Sequence, residues 1–232
     1  MVGDVNQTPQ DASQVILDDP DLLPSSKPIP APYCHGMTEH PSAILERSRH
    51  GSELSEPSTP LFVHIFKYGL ACTIGSALGS TPPSRDACLS AFLVPNKAGL
   101  TAGARAWSKH SHRSQSENAT AGPEEESSAR AIASSRSEGW WGTPSGPVSV
   151  INENALSLFR KVMDGATWRN LHWLPHQVLV YEVRVPEGYG MRWSQDQKLD
   201  NDDNNIDVDG PWIFRGFVEP MMEDGHEMGW RH

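Results

Sequence analysis

The placement of tryptophan most constrains what this chain can fold into. Seven of its eight tryptophans (Trp140, Trp141, Trp168, Trp173, Trp193, Trp212 and Trp230) fall in the last 93 residues, and only Trp107 precedes them. Each tryptophan brings a large apolar area, so a core is expected where they cluster. Elsewhere core formers are scarce: hydrophobic residues make up 37 % of the 232 positions, and 19 prolines and 19 glycines interrupt them. Apolar burial on that scale does not offset the entropy of ordering the whole chain. Residues 1–138 are therefore read as a mostly disordered N-terminal region, and residues 139–232 as a small α+β domain.

Within the N-terminal region, Leu61 to Gly79 is the longest apolar run. Its length approaches that of a membrane span, about 20 residues. His64 and Lys67 weigh against insertion, so membrane contact is not expected. After residue 139, Ile151, Ala155, Leu158 or Phe159, and Val162 recur at three- and four-residue steps, the pattern of an amphipathic helix. Ser149 is its expected N-cap and Gly165 its C′ residue. TWRNLHWLP is expected to add a helical turn before Pro175. Val178 to Val185 then alternates as a strand, with Glu182 and Arg184 on the polar face. A PEGYG turn, a strand at Met191 to Ser194, an acidic loop and a strand at Trp212 to Glu219 complete the pattern. The expected fold is one amphipathic helix packed on a small antiparallel sheet of about three strands.

GYGMRWS (188–194), FRGFVEP (214–220) and MEDGHEMGWRH (222–232) resemble a set of uncharacterised fungal proteins. The resemblance covers roughly residues 139–232. It implies one domain and carries no activity, cofactor or partner.

The net charge of −10 argues against non-specific binding to nucleic acid or anionic lipid. Residues 140–232 alone hold 8 Lys+Arg and 14 Asp+Glu, a net of −6, so no nucleic-acid partner is expected. Three cysteines, Cys34, Cys72 and Cys88, with no CxxC pair, fit a cytoplasmic or nuclear protein. Neither a G-x-S-x-G elbow nor a phosphate-binding glycine loop is present. Glu223, Asp224 and His226 are the candidates for catalysis or a divalent metal, since both need carboxylates beside a neutral imidazole. Their spacing matches no recognised site, and no cofactor is assigned. Arg184, Arg192 and Arg215, on adjacent strands of a meander, could form an anion site, because guanidinium forks bind oxyanions bidentately. A cross-strand ladder with Glu182 and Glu219 is the other use for them. Trp141, Tyr189 and Trp230 are candidates to rim a groove. The aromatic surplus favours a non-enzymatic binding or scaffold domain with a protein or small-molecule ligand. The alternative is a metal-assisted hydrolase or lyase acting on an anionic small molecule.

Overall fold

The computed structural model describes residues 30–50, 59–111, 139–197 and 210–221. In chain order these form α1 (Pro41–His50), a short turn α2 (Pro60–Phe62) running into a π-helical turn at Val63–Lys67, α3 (Arg85–Leu93), α4 (Ala102–His110) and α5 (Val148–Gly165). Strands β1 (Trp168–Leu174), β2 (Val178–Arg184), β3 (Gly190–Asp196) and β4 (Ile213–Val218) follow. They make one antiparallel meander in the order β1-β2-β3-β4. The fold is α+β, as the sequence implies. No described helix is long and apolar enough to cross a membrane.

The sheet has four strands rather than three, because TWRNLHWLP forms β1 and not a helical turn. Both faces of the first half of β1 are covered, which removes the alternation that betrays a strand. Leu171 enters the main core, while Trp168 packs with Cys34 and Ala71 on the opposite face. Residues 71–77 also run along the free edge of β1. Ala71 and Ala77 donate backbone N–H to Arg169 and Leu171, and Trp173 donates back to Gly75. An edge strand that would otherwise present unpaired backbone groups is thereby closed.

Helices α3 and α4 come from the N-terminal region read as mostly disordered. Ser84 and Thr101 cap them, each side chain accepting from the N–H three residues on. They pack on β4 and α5 and bring Cys88, Phe92, Ala104 and Trp107 into one core with Phe159, Tyr181, Trp193, Phe214 and Phe217. The core thus draws on residues on both sides of position 139. Helix α5 buries Ala155, Phe159, Val162 and Met163, the face its periodicity marks. Its N-cap is Pro147, so Ser149 lies inside the first turn, and Gly165 is its last helical residue.

The α3–α4 contact is close enough to exclude a methyl group. A Cβ on Gly103 would lie 1.9 Å from the Phe92 ring, and that ring is held between Phe159 and Phe214 at centroid distances of 5.1 and 4.8 Å. We expect Gly103→Ala to lower the free energy of unfolding by about 1–3 kcal/mol through overpacking. An unchanged urea midpoint would contradict this packing.

Strand β4 carries a bulge. Arg192 pairs with Gly216 while Trp193 pairs with Phe214, leaving Arg215 as the extra residue. Gly216 has φ +132°, open to glycine at little strain. Simple alternation puts Ile213, Arg215 and Phe217 on one face. The bulge instead turns both Phe214 and Phe217 into the core and leaves Ile213 and Arg215 exposed.

Candidate functional site

The sheet face away from α3–α5 is built in rows by the strand register. His172, Val180 and Ser194 share one row, Asn170, Glu182, Arg192 and Gly216 the next, and Trp168, Arg184, Gly190 and Val218 the third. A cavity of about 400 Å³ opens on this face, and its lining includes Arg184, Arg192, Arg215, Ser194, Glu219 and His110. Alternation along β2 and β3, with the bulge in β4, thus brings the three predicted arginines to one cavity.

Beneath them lies Glu182, which holds two of the three. Its carboxylate accepts from Arg184 Nε at 2.5 Å and from Arg192 Nε and Nη2 at 2.8 and 2.5 Å. Glu182 and Arg184 are almost completely buried, whereas the Arg192 side chain keeps about a third of its surface exposed. Burial pushes the Glu182 carboxyl up, but the two guanidiniums outweigh it and hold the group below its ordinary value of 4.5. Arg184 is fixed further by donating Nη1 to the carbonyls of Gly188 and Glu219 at 2.6 and 2.8 Å. The GYG turn makes this arrangement possible. A Cβ on Gly190 would meet the Val183 carbonyl at 2.1 Å and Arg184 Cγ at 2.8 Å, so glycine supplies the slot in which Arg184 lies. Of the two uses expected for the arginines, the ladder is formed by Glu182 with Arg184 and Arg192, and all three arginines also line one cavity.

Histidines flank the arginines. His110 lines the cavity from the end of α4. His172 stands beside Val180, which also lines the cavity, and its Nδ1 is buried without a hydrogen-bond partner. Burial lowers the His172 pKa, Glu182 acts against this and Arg192 with it, so the ring is neutral at neutral pH. Burial likewise lowers the pKa of His64, which is 1 % exposed and bonded through Nε2 to the Ala71 carbonyl at 3.1 Å. A histidine depressed on folding takes up more protons when unfolded below pH 6.5, the ordinary value. Its stabilising contribution is complete above that pH and is lost as pH falls. We therefore expect the urea midpoint to drop between about pH 6.5 and 5, with a shallower slope in His172→Asn. Parallel slopes in the two proteins would show that His172 does not titrate this way.

The other predicted residues divide. Trp141 is 2 % exposed, so it does not rim a groove. It sits in the core against Phe217, and its carbonyl accepts from Trp107 Nε1 at 2.9 Å. The α4 helix supplies the enclosure that a smaller core would have lacked. Tyr189 is half-buried and stacks on Trp140 at 4.7 Å, away from the cavity lining. Glu223, Asp224, His226 and Trp230 lie outside the described residues. Among the described residues no group of three His, Cys, Asp or Glu side chains is placed to hold a metal ion. Sequence reasoning missed His110, because it stands in the N-terminal region read as mostly disordered. Its only signal is the capping Thr101 nine residues upstream.

A family model, the CdiA C-terminal tRNase toxin domain, matches residues 117–200. No curated protein and no solved structure matches the chain. The matched span includes α5, β1, β2 and β3, and with them His172, Glu182, Arg184, Arg192 and Ser194. It replaces the resemblance to fungal proteins of no known activity. The domain it describes is a tRNase, which overturns both the non-enzymatic scaffold reading and the exclusion of nucleic acid. Net charge misled because a total says nothing of local fields. Three arginines converge on one cavity in a chain whose net charge is −10.

Proposed function

We propose that this chain cleaves phosphodiester bonds in RNA, with tRNA as the substrate class. One observation carries the reading: Arg184, Arg192 and Arg215 line a single cavity in the part of the sheet that the tRNase family model largely covers. Against Glu182 and Glu219 they leave one net positive charge, suited to a phosphate diester. Arg192 and Arg215, the more exposed pair, hold the scissile phosphate and stabilise the charge that builds on its oxygens. Arg184 is a positioning residue, since its Nε and Nη1 are already taken by Glu182, Gly188 and Glu219.

His110 and His172 suit the two proton transfers. One imidazole accepts the proton of the ribose 2′-hydroxyl, whose oxygen attacks phosphorus. The bond from phosphorus to the 5′ oxygen breaks, and the other imidazole protonates that oxygen. The products are a 2′,3′-cyclic phosphate and a 5′-hydroxyl end.

The full chain should be incubated with total tRNA, with the same RNA blocked at its 2′ oxygens, and with DNA of equal length. Cleavage of tRNA alone, leaving 5′-hydroxyl ends, is the expected result. Intact tRNA at micromolar protein defeats the reading. An arm in EDTA tests whether Glu223, Asp224 and His226 bring a metal to the reaction, since loss of cleavage there would assign them that role.

A further inference from the structure

The cavity changes character along its length. At one end of the outer sheet face stand Leu174, Val178 and Val180, which line it together with Arg184, Arg192 and Arg215 at the other end. Leu174 pairs with Val178, and Val180 lies one same-face row from Glu182 and its partner Arg192. At a rise of about 3.3 Å per residue, successive same-face rows are about 7 Å apart. An apolar wall therefore stands one row from Arg192, which lines the same cavity as Arg215. Inorganic phosphate alone would leave the apolar wall uncovered, and a nucleoside alone would leave the arginines unanswered. A base joined to its phosphate through one sugar spans both.

We infer that the cavity is a subsite for a single nucleotide, its base seated against Leu174, Val178 and Val180 and its phosphate on Arg192 and Arg215. Its volume of about 400 Å³ lies at the lower end of the range for small-molecule sites, roughly 300–1,000 Å³. That admits one nucleotide and excludes a base pair. The substrate must present an unpaired or extruded base, as in a tRNA loop. This deepens the RNA-cleavage reading and rests on it for the subsite's role in catalysis, while the ligand follows from the cavity itself.

Binding of 3′- and 5′-nucleoside monophosphates, of the four nucleosides and of inorganic phosphate to the full chain should be measured by titration calorimetry. The mononucleotides are expected to bind at least about tenfold more tightly than either phosphate or nucleoside. Leu174 is 44 % exposed, so Leu174→Glu leaves folding intact, which its melting temperature checks. It should weaken mononucleotide binding about tenfold and phosphate binding little, whereas Arg215→Glu should weaken both. Mononucleotides binding no more tightly than phosphate, or a Leu174→Glu protein binding them normally, overturn the base subsite. RNA cleavage without mononucleotide binding overturns it too and leaves the RNA-cleavage reading standing. Mononucleotide binding by a chain that cleaves no RNA does the reverse.

Discussion

Glu182→Ala is expected to lower the free energy of unfolding by about 3–5 kcal/mol, the range for removing one partner of a buried ion pair. Glu182 is 4 % exposed and Arg184 3 %, so the substitution leaves a buried guanidinium with no counter-charge and a carboxylate-sized void. Arg192 would lose Glu182 as well but can turn toward water, which limits its share. Equilibrium unfolding in urea at pH 7 measures the loss, and a change below about 1 kcal/mol would mean that solvent reaches Arg184 in the native state. Charge, not shape, sets this value, and two comparisons separate them. Glu182→Gln keeps the volume and one acceptor and should recover part of the loss. Glu182→Leu combined with Arg184→Met and Arg192→Leu removes all three charges and should cost less than Glu182→Ala alone, because no buried charge is stranded. The sign of the pH dependence agrees. The Glu182 pKa lies below 4.5 in the folded chain, so its contribution is complete above that value and is lost as pH falls through the lowered one.

The same cluster shows what could be read without coordinates. Alternation along Val178–Arg184 set Glu182 and Arg184 on one face, and the meander carried Arg192 beside them. The helical period of α5 was equally plain, since one face of a long amphipathic helix repeats undiluted. β1 escaped because segments from residues 33–37 and 71–77 cover the second face of its first half, and nothing local records that. β4 was assigned to the right residues but with its faces wrong, because a bulge inserts one position into a period of two. Gly216 was the available warning. Helices α3 and α4 hid for a different reason. They pack through alanine and glycine around Phe92 and Trp107, so their small buried faces resemble a flexible linker in composition. With them went His110, the one cavity residue among the described residues that comes from outside the sheet region. The acidic total misled about nucleic acid, because exposed charges beyond a Debye length of about 8 Å are largely screened at physiological salt.

That screening makes Arg215 the most informative position for function. It is the bulged residue of β4, exposed, and it lines the cavity next to Gly216, the partner of Arg192. Being exposed, its side chain contributes little to stability, so Arg215→Glu should shift unfolding by no more than about 0.5 kcal/mol. Its effect on RNA cleavage is expected to be about 100-fold or more in kcat/KM, the scale for losing one donor aimed at developing oxyanion charge. Reversal places a carboxylate where the phosphate must sit, so the loss should deepen at low salt, opposite to the usual gain of a basic site. Arg215→Lys tests geometry against charge. It keeps the cation but not the planar fork, and should retain only about a tenth of the activity if two parallel hydrogen bonds to phosphate are needed. Activity within threefold of wild type in Arg215→Glu would place the scissile phosphate elsewhere. Full activity in Arg215→Lys with a large loss in Arg215→Glu would keep the phosphate here and reduce the arginine to a point charge.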